Sequence, residues 1–366
     1  MMLSDRVLPH QYCSPIALAY LTMMAQVTHL LDDDADEQAR QILAALVRGM
    51  HGGIESQTAK MGYAGDCRGV PGAIALLRRT RPEVTVAWGL KPLAAAVLAG
   101  RGRILFSPAR FAGPRALRWI RLMMNRAEVT MVCPSVTQQR LAISRGIDAR
   151  RCVVIPPAVE IGAVPTQRDA GLRHELGFGE SDFIVLAPGE STLLSGHEHA
   201  VWASLILHVI DPACKLLVWG KGPKAAGLSR LPGRLGLDFI TLAERKLGRS
   251  IPFEQLLGVA DVCLATPVGM APMLPIIQAM AAGVPIVAVR NSLIDELVRD
   301  QQSALTVPRC SPRELVRRVL DLRGDSGLRA QIIEGAQTHA IRHHAMADQV
   351  AAWRRILVKR SSVAIR

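Results

Sequence analysis

The chain has 366 residues, 49% of them hydrophobic and 20% charged, with a formal net charge of +13. That length accommodates two domains with substantial cores, and that composition excludes a disordered chain. Aromatic residues make up only 4%, so Ala, Val, Leu and Ile must build most of the core; the basic balance favours anionic partners such as nucleotide phosphates, acidic lipid surfaces or nucleic acid.

The stretch SPIALAYLTMMAQVTHLL (residues 14–31) approaches transmembrane length, but Gln26, Thr28 and His29 interrupt its end. It lacks the short basic start and small-residue cleavage site of a signal peptide. We read it as a buried helix running into a strand, in a soluble, cytoplasmic protein. From residue 27 strands and helices alternate. VTHLL (27–31) is a strand, and DEQARQILAALVRGM (36–50) an amphipathic helix with an acidic first turn. GIESQTAKM (53–61), VTVAWG (84–89), RILFS (103–107) and VTMVCPS (129–135) are extended. GAIALLRRTRP (72–82), KPLAAAVLAG (91–100), PRALRWIRLMMNRA (114–127) and VTQQRLAISRG (136–146) are helical between them, and RCVVIPPAVE (151–160) closes the half.

Residues 160–172 lose this periodicity and carry Pro, Gly and polar residues, as a domain linker does. The alternation then restarts with DFIVLAPG (182–189), HEHAVWASLILHVI (197–210), KLLVWGKG (215–222) and DFITL (238–242). PFEQLLGVA (252–260), DVCLATP (261–267), PIIQAMAAG (275–283), PIVAVR (285–290), DELVRD (295–300) and SALTVP (303–308) continue it. Alternation of this kind predicts an α/β protein: two Rossmann-like, doubly wound parallel sheets with a cleft between them at the carboxyl ends of the strands.

Five ordered segments carry a resemblance. VVIPPAVE, GKGP (Gly220–Pro223), LLGVADVCLATP, QAMAAGVPIVAV and DELVRDQQSALTVP resemble the corresponding stretches of glycosyltransferase family 4 proteins. The likeness runs over roughly 129–345 and is faint before that. It implies the GT-B fold, with an acceptor-side domain over 1–162, a nucleotide-sugar domain over 163–340 and a last segment, 341–366, crossing back to the first domain. It also implies retaining, metal-independent transfer of the family type from a nucleotide-diphosphate sugar as donor substrate, with no further cofactor.

The stretch APGESTLLSGHEH (187–199) has the strand–glycine–helix order of a phosphate cradle. In the resembling family an arginine and a lysine in this loop neutralise the donor diphosphate. Here Gly189 and Gly196 match, whereas the arginine position is Glu190 and the lysine position Ser195. Two family glutamates that contact the sugar and the ribose correspond to Met270 and Gln278. Like charges ~5 Å apart at an effective dielectric near 20 repel by roughly 3 kcal/mol. Pro272 and Pro275 replace a glycine-rich helix start and remove backbone donors. The expected donor-side residues are therefore Gly189, Glu190, Ser195, Gly196, Lys221, Met270, Ala271, Met273, Leu274 and Gln278. Lys221 is either a relocated phosphate-binding cation or a solvated turn residue. On the acceptor side stand His29, Asp32 and Arg110. Asp32, Asp33 and Asp34 otherwise cap the following helix, and His29 otherwise serves the strand end structurally.

Other signals carry less. HEH (197–199) and HAIRHH (339–344) lack a metal-binding pattern, and the seven dispersed cysteines read as buried reduced thiols. RALRWIRLMMNRA sets arginines against Trp119, Ile120, Leu122, Met123 and Met124, which suits either sheet packing or an anionic membrane at the inner surface. No basic patch with interleaved aromatics points to nucleic acid. The residues thus leave two functions open: glycosyl transfer, and an inactive glycosyltransferase scaffold serving as a binding or regulatory partner, with a protein partner of its own.

Overall fold

Among the described residues of the computed structural model, twelve parallel strands form two separate sheets. The structure describes residues 25–358 apart from 33–36, 50–53, 63–65, 101, 109–112, 229, 231–232 and 234–235. The helix expected before residue 25, Asp33, Asp34 and Arg110 lie outside the described residues.

The first sheet contains β1 (Ala25–Asp32), β2 (Ile54–Met61), β3 (Val84–Trp88), β4 (Arg103–Ser107), β5 (Val129–Cys133) and β6 (Cys152–Val154), in the order β2-β1-β3-β4-β5-β6. Between them run α1 (Glu37–Gly49), α2 (Gly69–Thr80), α3 (Leu90–Ala99), α4 (Pro114–Met124) and α5 (Val136–Ser144). Residues of β3 are buried along their whole length, as expected of a central parallel strand covered on both faces. Leu117, Ile120 and Met124 of α4 pack into the core of this sheet with Phe106 and Met131.

After α6 (Ala170–Glu175) the second sheet begins. Its strands are β7 (Phe183–Ala187), β8 (Cys214–Val218), β9 (Ile240–Leu242), β10 (Val262–Ala265), β11 (Ile286–Val289) and β12 (Leu305–Val307), ordered β12-β11-β10-β7-β8-β9. Its helices are α7 (His197–Ile210), α8 (Ala225–Leu228), α9 (Ala243–Leu247), α10 (Phe253–Leu257), α11 (Leu274–Ala282), α12 (Ile294–Leu297), α13 (Pro312–Gly324) and α14 (Ser326–His343). Ser311 and Asp325 cap α13 and α14 by accepting from Glu314 N and Leu328 N. In this sheet the order reverses between β7 and β10, which places a crevice at their carboxyl ends.

The last helix, α15 (Met346–Val358), leaves the second sheet and returns to the first. Trp353 is 2% exposed and meets Trp88, 1% exposed, with ring centroids 5.3 Å apart. At the crossing, Val159 N donates to His344 O at 2.9 Å and Met346 N to Val159 O at 3.1 Å. The domains also touch through Glu296, whose carboxylate accepts from Val136 N at 2.9 Å and Thr137 N at 2.6 Å, capping α5 from across the boundary. The described cysteines are all free, and all but Cys310 are buried. No described helix is long and apolar enough to cross a membrane.

Replacing Trp353 by Ala removes the apolar cover that α15 lays on the first sheet. We expect a loss of about 3–5 kcal/mol in folding stability, measured as a lower urea midpoint. An unchanged midpoint would show that α15 contributes nothing to the first domain.

Candidate functional site

The loop between β7 and α7 is held in shape by glycines. Gly189 and Gly196 have φ of +77° and +64°, in the left-handed region. A Cβ at Gly196 would stand 2.0 Å from the Thr266 carbonyl oxygen, and one at Gly222 2.6 Å from the Ser191 carbonyl oxygen. This backbone therefore packs too closely against its neighbours to admit side chains there.

A phosphate cradle works by keeping backbone N–H groups available for the ligand. In this loop several are already used. Ser191 N donates to Lys221 O at 2.8 Å. Thr192 N donates to Ser195 Oγ at 2.9 Å, and Ser195 N to Thr192 Oγ1 at 3.2 Å. His197 stiffens the interior: it lies 3.1 Å from Pro188 O through Nε2 and 2.9 Å from Ser191 Oγ through Nδ1. A carbonyl only accepts, so the ring hydrogen is on Nε2 and Nδ1 accepts from the Ser191 hydroxyl. Burial pushes the His197 pKa down from 6.5 to about 4, partly opposed by the Pro188 carbonyl.

Opposite the loop stands the start of α11. Pro275 lies in its first turn and has no N–H to offer. Ile276 N is already donated to Met273 O at 3.1 Å. The Pro275 ring also closes on Gly189, where a Cβ would meet its Cγ at 2.9 Å. The ring thus abuts the loop at Gly189 and narrows the cleft there.

Around these elements lies a cleft of ≈ 500 Å³, open to solvent. Gly189, Glu190, Ser195, Ala271, Leu274 and Gln278, expected on the donor side, line it together. Trp219 and Phe253 supply aromatic walls, and Pro188, Pro272 and Pro275 apolar ones. Among its described lining residues Glu190 alone is charged, in a chain of net charge +13. Gln41, from α1 of the first domain, spans the cleft: it donates to Glu254 Oε1 at 2.6 Å and accepts from Gln278 Nε2 at 3.3 Å.

The remaining expected residues are placed elsewhere. Met270 and Met273 pack on the second domain's core, because both are apolar and α11 is buried on several sides. Gly196 forms the N-cap of α7. Lys221 lies 3.6 Å from the Glu244 carboxylate and over the Trp219 ring, 4.4 Å from its centroid, so its charge already has partners. Asp32 meets Lys91 at 3.2 Å. His29 does not reach the cleft: it is 0% exposed and Nδ1 accepts from Trp88 Nε1 at 3.3 Å. The expected strand-end position does not hold, because β1 runs on to Asp32 and is buried on both faces at His29, where burial lowers the pKa to about 4. Sequence reading missed Gln41, Trp219 and Phe253 as cleft residues. Only the strand-end place of Trp219, directly before GKGP, offered a signal. Among the described residues no group of three His, Cys, Asp or Glu is placed to hold a metal ion.

Two Rossmann-like domains facing across such a cleft, with a terminal helix crossing back, constitute the GT-B fold of glycosyltransferases. HepE of Anabaena, solved with UDP and glucose, superposes with a TM-score of 0.76 at 18% identity, covering 92% of this chain and 100% of that one. Sucrose-phosphate synthase of Thermosynechococcus elongatus gives 0.72 at 15% identity, covering 91% and 98%. At the family level, residues 199–325 match the profile of glycosyl transferases group 1, so the chain is glycosyltransferase-like. The D-inositol 3-phosphate glycosyltransferase of Salinispora arenicola is 29% identical over 210 residues, 53% of this chain and 46% of that protein. The match thus spans about half the length of that curated relative.

Two of the buried histidines, His29 and His197, predict acid sensitivity. Both are held neutral in the folded protein, with pKa values near 4 against 6.5 in an exposed imidazole. Below pH 6.5 the unfolded chain takes up protons that the folded chain refuses, so stability falls as the pH drops towards 4. Over that window each histidine contributes a loss of about 3 kcal/mol. Urea unfolding at a series of pH values should show this decline; a flat profile would mean that these rings are not buried as described.

Proposed function

We propose that this chain is a glycosyltransferase scaffold of family 4 that retains the interdomain cleft but not the means to transfer sugar from a nucleotide-diphosphate donor. It serves instead as a binding or regulatory partner of another protein. The observation that carries this reading is the Pro275 ring seated on Gly189 with Glu190 beside it. In the resembling family, transfer depends on stabilising the departing diphosphate. Here Pro275 crowds Gly189, three loop N–H groups already have acceptors in the protein, and the one charged residue of the described cleft lining is acidic. A diphosphate ~5 Å from Glu190 would meet a repulsion of roughly 3 kcal/mol where the family has an attraction of similar size.

Lys221 favours a second reading, transfer with retention and without a metal. It stands beyond the carboxyl end of β8, and its pair with Glu244 is partly exposed, so it can exchange for a phosphate. On this reading the donor is a nucleotide sugar, as HepE binds UDP-glucose, and the acceptor contacts the first domain.

Calorimetric titration with UDP, GDP, ADP and their sugar conjugates at low salt separates the two. On the first reading the wild type shows no saturable binding and releases no nucleotide. The combined change Glu190→Arg, Ser195→Lys and Pro275→Gly then raises nucleotide affinity at least ~100-fold, as reversal of a term of about 3 kcal/mol requires. Wild-type binding of one nucleotide sugar with turnover, abolished by Lys221→Ala, would sink the first reading and support the second.

A further inference from the structure

We infer that the outer face of α4 is a docking surface for an anionic lipid bilayer. This helix divides its residues sharply. Leu117, Ile120 and Met124 face the core, each at most 2% exposed. The opposite side presents Arg115, Arg118, Trp119, Leu122 and, just beyond the helix, Arg126, all exposed. Their spacing follows the helical period, so they form one stripe. Trp119 is 64% exposed and Leu122 41%, an unusual position for an indole in a protein with five tryptophans.

Charge identifies the occupant. From Pro114 to Ala127 the sequence contains no acidic residue. Among the described residues, the side chains of Arg115, Arg118 and Arg126 make no ion pair or hydrogen bond. Three unneutralised guanidinium groups around an indole match an anionic headgroup layer, where arginine meets phosphate and an amphipathic ring sits at the interface. A nucleic-acid surface would need further aromatics for stacking, and α4 provides one. The neighbouring α3 extends the face with Leu98, 60% exposed, whose carbonyl accepts from Arg78 Nη2 at 3.3 Å. Ser107, which ends β4 a few residues before α4, lines a cavity at the carboxyl edge of the first sheet.

Co-flotation of the full chain with vesicles tests this. Phosphatidylcholine vesicles containing phosphatidylglycerol should carry the protein, and phosphatidylcholine alone should not. Each arginine near an anionic surface changes partitioning about fivefold, so Arg115→Gln with Arg118→Gln should weaken it roughly 25-fold. Trp119→Asp with Leu122→Asp should abolish it. Arg313→Gln with Arg317→Gln, an equal charge change on exposed positions of α13, should leave binding intact. Circular dichroism checks that each variant is folded. The proposal is overturned if the wild type stays with neither vesicle, if binding survives the Trp119 and Leu122 changes, or if the α13 variant weakens as much as the α4 variant.

Discussion

Close packing of the loop between β7 and α7 constrains the rest of the site. Gly196 has Thr266 against it, Gly222 has Ser191, and Gly189 has Pro275. Each contact joins the loop to a different part of the second domain. A backbone held this way keeps its path whatever the intervening side chains are. The shape of a phosphate cradle and its charge are consequently separable properties. Here the glycines set the backbone path, and Glu190 is the one charge that the described cleft lining presents.

Contacts between the domains are mostly polar. Glu296 caps α5, and Gln41 joins Glu254 to Gln278. Near the crossing, Gln349 Nε2 donates to Pro156 O at 2.7 Å and His344 Nδ1 lies 2.9 Å from Pro157 O. Hydrogen bonds of this kind are exchanged readily for water, unlike a large apolar interface, and they permit relative motion of the domains. The apolar anchor is α15, which belongs to the second domain by sequence order and to the first by packing. Opening the cleft would break the Gln41 contacts while leaving Trp353 against Trp88. Gln278, at a position where the resembling family contacts ribose, is thereby tied to the opposite domain.

Much of the fold was legible because parallel strands buried on both faces make continuous apolar runs, separated by helices of regular period. The range 103–107 for β4 and 197–210 for α7 coincide with the structure. The short α9, Ala243–Leu247, was not anticipated, since five residues carry no measurable period. Side-chain roles were harder. A histidine at a strand end looks the same in sequence whether it faces a cleft or, like His29, a tryptophan in the core. Lys221 announced its charge but not its partner Glu244, 23 residues on by their numbers. Gln41 was invisible as a cleft residue because its partners lie more than 200 positions away. Such contacts depend on how two domains face each other, which local pattern does not encode.

Charge distribution makes the same separation at the scale of the molecule. Were the +13 excess concentrated at the cleft, it would support capture of a diphosphate. The described cleft lining has one charge, and it is negative. Lys221, the cation nearest in sequence to the loop's contacts, is neutralised by Glu244 and covers Trp219. Unpaired arginines stand instead on the surface of α4, in the other domain. A loop that satisfies its own N–H groups needs no anion to become rigid. The His197–Ser191 bond and the Thr192–Ser195 turn supply inside the loop what a bound phosphate supplies elsewhere. The loop is thus braced by its own hydrogen bonds, while the exposed arginines of α4 lie in the other domain, away from the cleft lining.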